Sequence, residues 1–233
     1  MRATAAGSWV VLLRHGHSAW NLHDRFTGWT DIPLSGVGID EAERAGHVLV
    51  RAGFRFDEAH VSALRRARQT ALAVLAVTGP APIESSWRLN ERHYGALQGM
   101  NKKAIFTAWG EARSRAWWRG YLDPPPQVAP DDPRHPRHDP RYAGLDPALL
   151  PAGESLSDCQ RRALPYWHES LLPRIAAGRR LLVVSHGNTL RALVMHLDGL
   201  TPAAMERLEI PSGVPLVYRF APDMAVSGRK WLE

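Results

Sequence analysis

Two hydrophobic periodicities alternate along the chain. Trp9 to Leu13 (WVVLL) is a continuous, β-branched-rich apolar run, the pattern of a strand buried on both faces of a sheet. After a polar stretch, Ser35 is placed to cap a helix whose apolar positions Ile39, Ala42, Ala45 and Leu49 share one face, with Gly53 as its stop. A short strand near His60 to Ser62 leads into a helix from Ala63 to Val77, ended by Gly79-Pro80. An amphipathic pattern runs from Glu154 to Ile175. RLLVVS, Arg180 to Ser185, predicts another buried strand, followed by a helix from Asn188 to Asp198. Strands alternating with helices predict an α/β fold of three layers, with a mostly parallel central sheet and helices on both faces.

The segment from Asp123 to Pro151 breaks this pattern, since it holds nine of the 18 prolines and cannot form regular structure. It is either a linker between domains or an excursion packed over a site. The unit from Arg180 to Asp198 is too small to fold alone, so its strand must join the earlier sheet. That predicts a single domain over residues 1–233, with the Pro-rich excursion at about 123–151 lying over the site.

Composition narrows the class. In 233 residues, 45% hydrophobic and 22% charged positions are ordinary globular usage, which excludes a collagen, a coiled coil or a disordered chain. No apolar run approaches the roughly 20 residues needed to cross a bilayer, and MRATAAGS is too short before the first run to supply a signal peptide. One cysteine, Cys159, cannot form an internal disulfide, which suits a reducing compartment; the expected location is cytoplasmic. Cys159 has no base partner in sequence, so a packing role is expected of it. The net charge of +6 comes from 29 basic against 23 acidic residues, without any block of five or six like charges. That argues against nucleic acid and a membrane surface as partners, and leaves a small anionic substrate met by a few arginines.

Two strand ends repeat the same chemistry. One reads Leu13-Arg14-His15-Gly16-His17-Ser18, the other Val184-Ser185-His186-Gly187-Asn188-Thr189. In open α/β sheets ligands bind at the carboxyl ends of strands, so two such histidines on adjacent strands would face one another across a crevice. Glycine after each would let a ligand approach the backbone. Arg14 and the run Leu64-Arg65-Arg66-Ala67-Arg68 fall at the same sheet end, and guanidinium forks suit phosphate. A neutral imidazole in such a cluster can attack phosphorus, and a second, protonated imidazole can stabilise the transferring oxygens. Glu91, in the polar loop LNERHYG, is a candidate acid or base.

Arg14-His15-Gly16 resembles the signature of the histidine phosphatase, or phosphoglycerate mutase-like, superfamily. Longer strings are more specific: RFTGWTDIPLS (Arg25 to Ser35), RLNERHYGALQGMNK (Arg88 to Lys102), HDPRYA (His138 to Ala143), SHGNTLRALV (Ser185 to Val194) and IPSGVPLVY (Ile210 to Tyr218). Together they are similar to the 2,3-bisphosphoglycerate-dependent phosphoglycerate mutases over nearly the whole chain. The resemblance implies a phosphoglycerate mutase-like fold, His15 as phosphoryl acceptor, Glu91 as proton donor and acceptor, and His186 as transition-state stabiliser. It implies that Arg14, Asn21, Arg66 and Asn188 hold the transferring phosphoryl group. Ser18, Thr27, Gly28, Arg92, Tyr94, Lys102, Trp118, Arg119 and Gly187 would line the rest of the pocket. It also implies 2,3-bisphosphoglycerate as primer, no metal, and a possible homo-oligomer.

Three departures stand out. His17 occupies a place where these mutases usually carry glutamate, and His-x-His raises a metal-site reading that no carboxylate or third histidine at ligand spacing supports. Trp117-Trp118-Arg119 replaces the usual Trp-Arg-Arg, so a guanidinium contact to substrate is expected to be missing at Trp118. The sequence runs only to Trp231-Leu232-Glu233, and the tail that helps cover such sites is expected to be absent. Interconversion of 3-phosphoglycerate and 2-phosphoglycerate leads. A phosphatase using the same phosphohistidine is the alternative, and a basic interaction protein with a vestigial site is disfavoured because His15, Arg66, Glu91 and His186 occur together.

Overall fold

A computed structural model describes residues 7–233. The signal-peptide reading of the leading MRATAAGS falls largely on residues 1–6, which lie outside the described residues. The elements are β1 (Trp9–Arg14), α1 (Ala19–Leu22), α2 (Gly36–Arg51), β2 (Glu58–Ser62), α3 (Arg65–Thr78), β3 (Ile83–Ser86), α4 (Lys102–Trp109), α5 (Glu111–Arg119), α6 (Leu156–Tyr166), α7 (Leu172–Ala176), β4 (Leu181–Ser185), α8 (Gly187–Asp198), α9 (Pro202–Arg207), β5 (Pro215–Phe220) and β6 (Val226–Trp231). They form one six-stranded sheet in the order β3-β2-β4-β1-β5-β6. The first four strands of that order are parallel; β5 runs antiparallel to β1, and β6 antiparallel to β5.

The uninterrupted apolar run of β1 now has its reason. Val10 and Leu12 pack with Ala163 of α6 and Leu190, Leu193 and Val194 of α8. Val11 and Leu13 pack with Ala45 and Leu49 of α2 and with Ala67, Ala71 and Val74 of α3. Both faces of the strand are covered, so neither can be polar. On α2 Ser35 is the cap and Ala42, Ala45 and Leu49 of the predicted stripe are buried, but Ile39 is 43% exposed. Gly38 and Gly46 join Ala42, Ala45 and Leu49 on the buried face, and a Cβ on Gly46 would lie 2.9 Å from Val77 Cβ. The helices touch too closely there for a larger side chain. The pattern from Glu154 to Ile175 is split into α6, a widened π turn over Trp167–Leu171, and α7. Pro173 has no N–H for the ladder, and the wider turn absorbs the break.

Because β1, β2 and β4 are parallel, their carboxyl ends reach the same sheet edge. The Pro-rich excursion contributes no residue to the lining of the cavity at that edge. It packs behind the edge: Leu145, Tyr142 and Leu150 meet Trp29, Ala63 and Trp87. Arg134 donates to the carbonyls of Ala96 and Gln98, and the Tyr142 hydroxyl accepts from Asn90 Nδ2 at 2.8 Å. Its prolines hold a fixed buttress for the loop that carries Glu91.

Candidate active site

Parallel pairing sets Arg14 against Ser185, so the next residues, His15 and His186, leave the sheet side by side. Their rings meet edge-on with centroids 4.8 Å apart, and both are buried. His15 Nδ1 lies 2.6 Å from the Gly16 carbonyl oxygen. A carbonyl only accepts, so Nδ1 carries the proton and Nε2 keeps its lone pair. Arg66 Nε donates to that Nε2 at 3.2 Å. Burial, then the charges of Arg66 and Arg14, holds His15 well below the ordinary histidine pKa, so the ring is neutral. Burial, then Arg66 and His15, drives His186 the same way. Its Nε2 bonds Ser62 Oγ at 2.7 Å, and its buried Nδ1 has no partner among the described residues.

The two glycines serve different ends. A Cβ on Gly16 would sit 2.1 Å from Gly38 O, so the start of α2, rather than a ligand, requires glycine there. Gly187 opens α8 and lines the cavity beside Arg14.

In front of His15 lies a cavity of about 220 Å³. Of the residues expected from sequence, Arg14, His15, Asn21, Thr27, Gly28, Arg66, Glu91, Tyr94, Lys102, Trp118, Arg119, Gly187 and Asn188 line it. Arg66 is 1% exposed, and its other nitrogens donate to Thr30 O at 2.9 Å and Gly28 O at 2.7 Å. Burial pulls its pKa to about 10, against the pull of Glu91 and Asp31. Arg14 donates to Ile210 O at 2.8 Å, and its buried Nε has no acceptor among the described residues. Guanidinium groups fixed by carbonyls and lacking a carboxylate mate are ready for an anion.

Three expected residues stand elsewhere. His186 is set behind His15 rather than in the cavity wall. Ser18 is corrected to a cap of α1: its N–H and hydroxyl both donate to Asn21 Oδ1 at 2.9 Å. Arg92 is corrected to a clamp, fully buried and donating to the carbonyls of Glu154, Gly120 and Asp123. Its charge is spent on the frame because three backbone acceptors converge on it.

The Glu91 carboxylate is held by main-chain donors, Arg92 N–H at 2.8 Å and Asn188 N–H at 3.2 Å, the latter in the first turn of α8. Trp29 Nε1 and Arg162 donate to the Glu91 carbonyl. Arg162 is paired with Glu154 at 2.6 Å, both side chains 5% exposed. Breaking such a pair costs about 3–5 kcal/mol, so the loop that presents Glu91 is pinned by a contact that tolerates little change.

At the outer end, Trp118 is no vacancy. Its ring carries Arg119 at 4.6 Å and Lys102 at 5.3 Å from the centroid, a platform for two cations. Sequence reasoning missed Arg25, Phe26, Arg191, Glu209 and Ile210, which also line the cavity. Arg191 was findable: three residues after Asn188 on α8, it shares that residue's helix face. It donates to Asn188 Oδ1 at 3.0 Å, while Asn188 donates to Tyr94 Oη at 2.9 Å. Burial lowers the Arg191 pKa to about 10 and, ahead of Glu91, raises that of Tyr94. His17 is turned away: its Nδ1 bonds the Glu41 carboxylate at 2.7 Å. Cys159 is buried, and burial pushes its thiol up to about 12, as a packing residue should behave.

Five buried histidines, His15, His60, His93, His135 and His186, are held below their ordinary pKa chiefly by burial, His93 at about 3. Unfolded, each titrates near 6.5, so below about that pH the unfolded chain binds protons that the folded chain refuses. Stability is therefore expected to be full above about pH 6.5 and to fall below it, by up to about 1.4 kcal/mol per pH unit for each histidine. Asp57 and Asp132, each held at about 2 by arginine hydrogen bonds, add their loss only at lower pH. Urea melts at pH 7.5, 6.5 and 5.5 check this, and a flat profile would contradict it.

A neutral, oriented imidazole backed by a second imidazole and ringed by guanidiniums is the arrangement of an α/β protein that handles phosphoryl groups on histidine. The model of the histidine phosphatase superfamily (branch 1) matches residues 10–133 and 127–225. A 2,3-bisphosphoglycerate-dependent phosphoglycerate mutase of Nitratidesulfovibrio vulgaris is 53% identical over 211 residues, 90% of this chain and 85% of that protein. One of Nitrosococcus oceani is 49% identical over 90% of this chain and 88% of its own. Among solved structures, a mycobacterial glucosyl-3-phosphoglycerate phosphatase matches with a TM-score of 0.71 at 26% identity, covering 97% of each chain. The chain belongs to the histidine phosphatase superfamily, branch 1, and within it to the 2,3-bisphosphoglycerate-dependent phosphoglycerate mutase family. No helix among the described residues is long and apolar enough to cross a membrane.

Proposed function

We propose that this single-domain protein interconverts 3-phosphoglycerate and 2-phosphoglycerate through a phosphohistidine at His15, primed by 2,3-bisphosphoglycerate. The observation that carries the reading is the His15 Nε2 lone pair, aimed by Gly16 and faced by Arg66, in a cavity with further cations, Lys102, Arg119 and Arg191, at its other end. A phosphoryl group and a second anion on a three-carbon ligand match those two clusters. The Arg14 and Arg191 Nε atoms, buried without acceptors among the described residues, fit a bisphosphate.

Arg14, Arg66, Asn21 and Asn188 hold the phosphoryl group. Glu91 takes the proton from the 2-hydroxyl of 3-phosphoglycerate as its oxygen bonds to phosphorus and the His15 Nε2–P bond breaks. After the bisphosphate turns over, His15 Nε2 attacks the 3-phosphoryl group, and Glu91 returns the proton to the departing oxygen. His186, neutral by burial, keeps one ring N–H, which can donate as negative charge gathers beside it. The arginines supply the positive charge that phosphoryl transfer needs, which supports a reaction without metal. A glycolytic substrate and a lone, buried cysteine support a cytoplasmic location.

Hydrolysis is the second reading, favoured by the likeness to a phosphatase structure. A coupled mutase assay with and without 2,3-bisphosphoglycerate, run beside phosphate release, separates the two. Interconversion is expected to depend on added bisphosphate and to exceed phosphate release many-fold. Release equal to or faster than interconversion would overturn the mutase reading.

A further inference from the structure

At the outer end of the cavity, Arg119 is already engaged: it donates to the Glu209 carboxylate at 2.5 Å. The two partners are anchored very differently. The Arg119 side chain is 18% exposed and lies on the Trp118 ring, whereas that of Glu209 is 68% exposed, on the link between α9 and β5. Both line the cavity. Beside them, Arg191 is buried and has no carboxylate partner among the described residues.

We propose that Glu209 is a tethered stand-in for the substrate's distal anion, holding Arg119 until the far carboxylate or phosphoryl group of a phosphoglycerate displaces it. The inference rests on the substrate reading above and makes Glu209 a specificity-determining residue. An exposed carboxylate swings away at little cost, since surface ion pairs contribute little. The guanidinium stays on its aromatic support, so the exchange swaps one anion for another without leaving the cation unpaired. A ligand with one anionic group, such as inorganic phosphate, binds at His15, Arg14 and Arg66 and leaves the pair intact. A ligand with two must displace Glu209 and binds more weakly for it. The same competition acts while the bisphosphate turns over, because Glu209 can retake Arg119 when the distal group lets go.

Calorimetric titration of the wild type, Glu209→Gln and Glu209→Ala with 3-phosphoglycerate and, separately, with inorganic phosphate tests this. Both variants are expected to bind 3-phosphoglycerate about two- to fivefold more tightly, with phosphate affinity unchanged. Unchanged or weaker 3-phosphoglycerate binding in the variants would overturn the stand-in, as would an equal gain for phosphate, which would mean only a general field effect. Wild-type protein that binds 3-phosphoglycerate no more tightly than phosphate would overturn the substrate reading itself, and the stand-in with it.

Discussion

His15→Ala is expected to lower interconversion and hydrolysis alike by about 10⁴-fold or more, the scale on which loss of an enzyme nucleophile is felt. Both reactions pass through the same Nε2–P bond, and no other imidazole can take its place. His186 sits behind His15, with its Nε2 on Ser62. Arg66 keeps its bonds to Thr30 and Gly28 in the variant, so the cavity and its affinity for phosphate should survive. Exposure to labelled 2,3-bisphosphoglycerate should leave an acid-labile, base-stable phosphate on the wild type alone. Label of undiminished intensity on His15→Ala would remove His15 from its role.

Glu91→Gln should have the next largest effect, about 10²- to 10⁴-fold on turnover with little change in affinity. The amide oxygen can still accept from the Arg92 and Asn188 N–H groups, so the side chain keeps its place. What it loses is the capacity to carry a proton between transfers. Formation of the phosphoenzyme from bisphosphate should slow in the same proportion, because the departing oxygen then lacks its acid. Rapid-quench labelling beside steady-state rates measures both. A variant that labels and turns over like the wild type would show that solvent or another group moves the proton.

Much of this was legible before any coordinates. Continuous apolar runs identified β1 and β4, because a strand covered on both faces has no polar face to display. The repeated strand–His–Gly ends marked the catalytic edge, and the spacing of α/β elements put Arg66 beside it. Arg14, His15, Arg66 and Glu91 could be named because their chemistry is written in residue type and in position at strand ends.

What periodicity could not resolve was who answers to whom. Ser18 and Arg92 are polar and close in sequence to the site, yet neighbouring acceptors claim them: the Asn21 carboxamide for one, three backbone carbonyls for the other. The excursion from 123 to 151 was recognisable as irregular, but its place behind the Glu91 loop depends on contacts from Trp29, Ala63 and Trp87, far away in sequence. Trp118 read as a lost guanidinium and is a support for two cations; Glu209 read as nothing and holds Arg119. The sequence by itself determined the layers, the sheet edge and the reacting groups, because burial and residue chemistry act locally. Only the tertiary structure decided which charges stay free for a ligand, because a buried donor's partner is whichever acceptor the fold brings within about 3 Å.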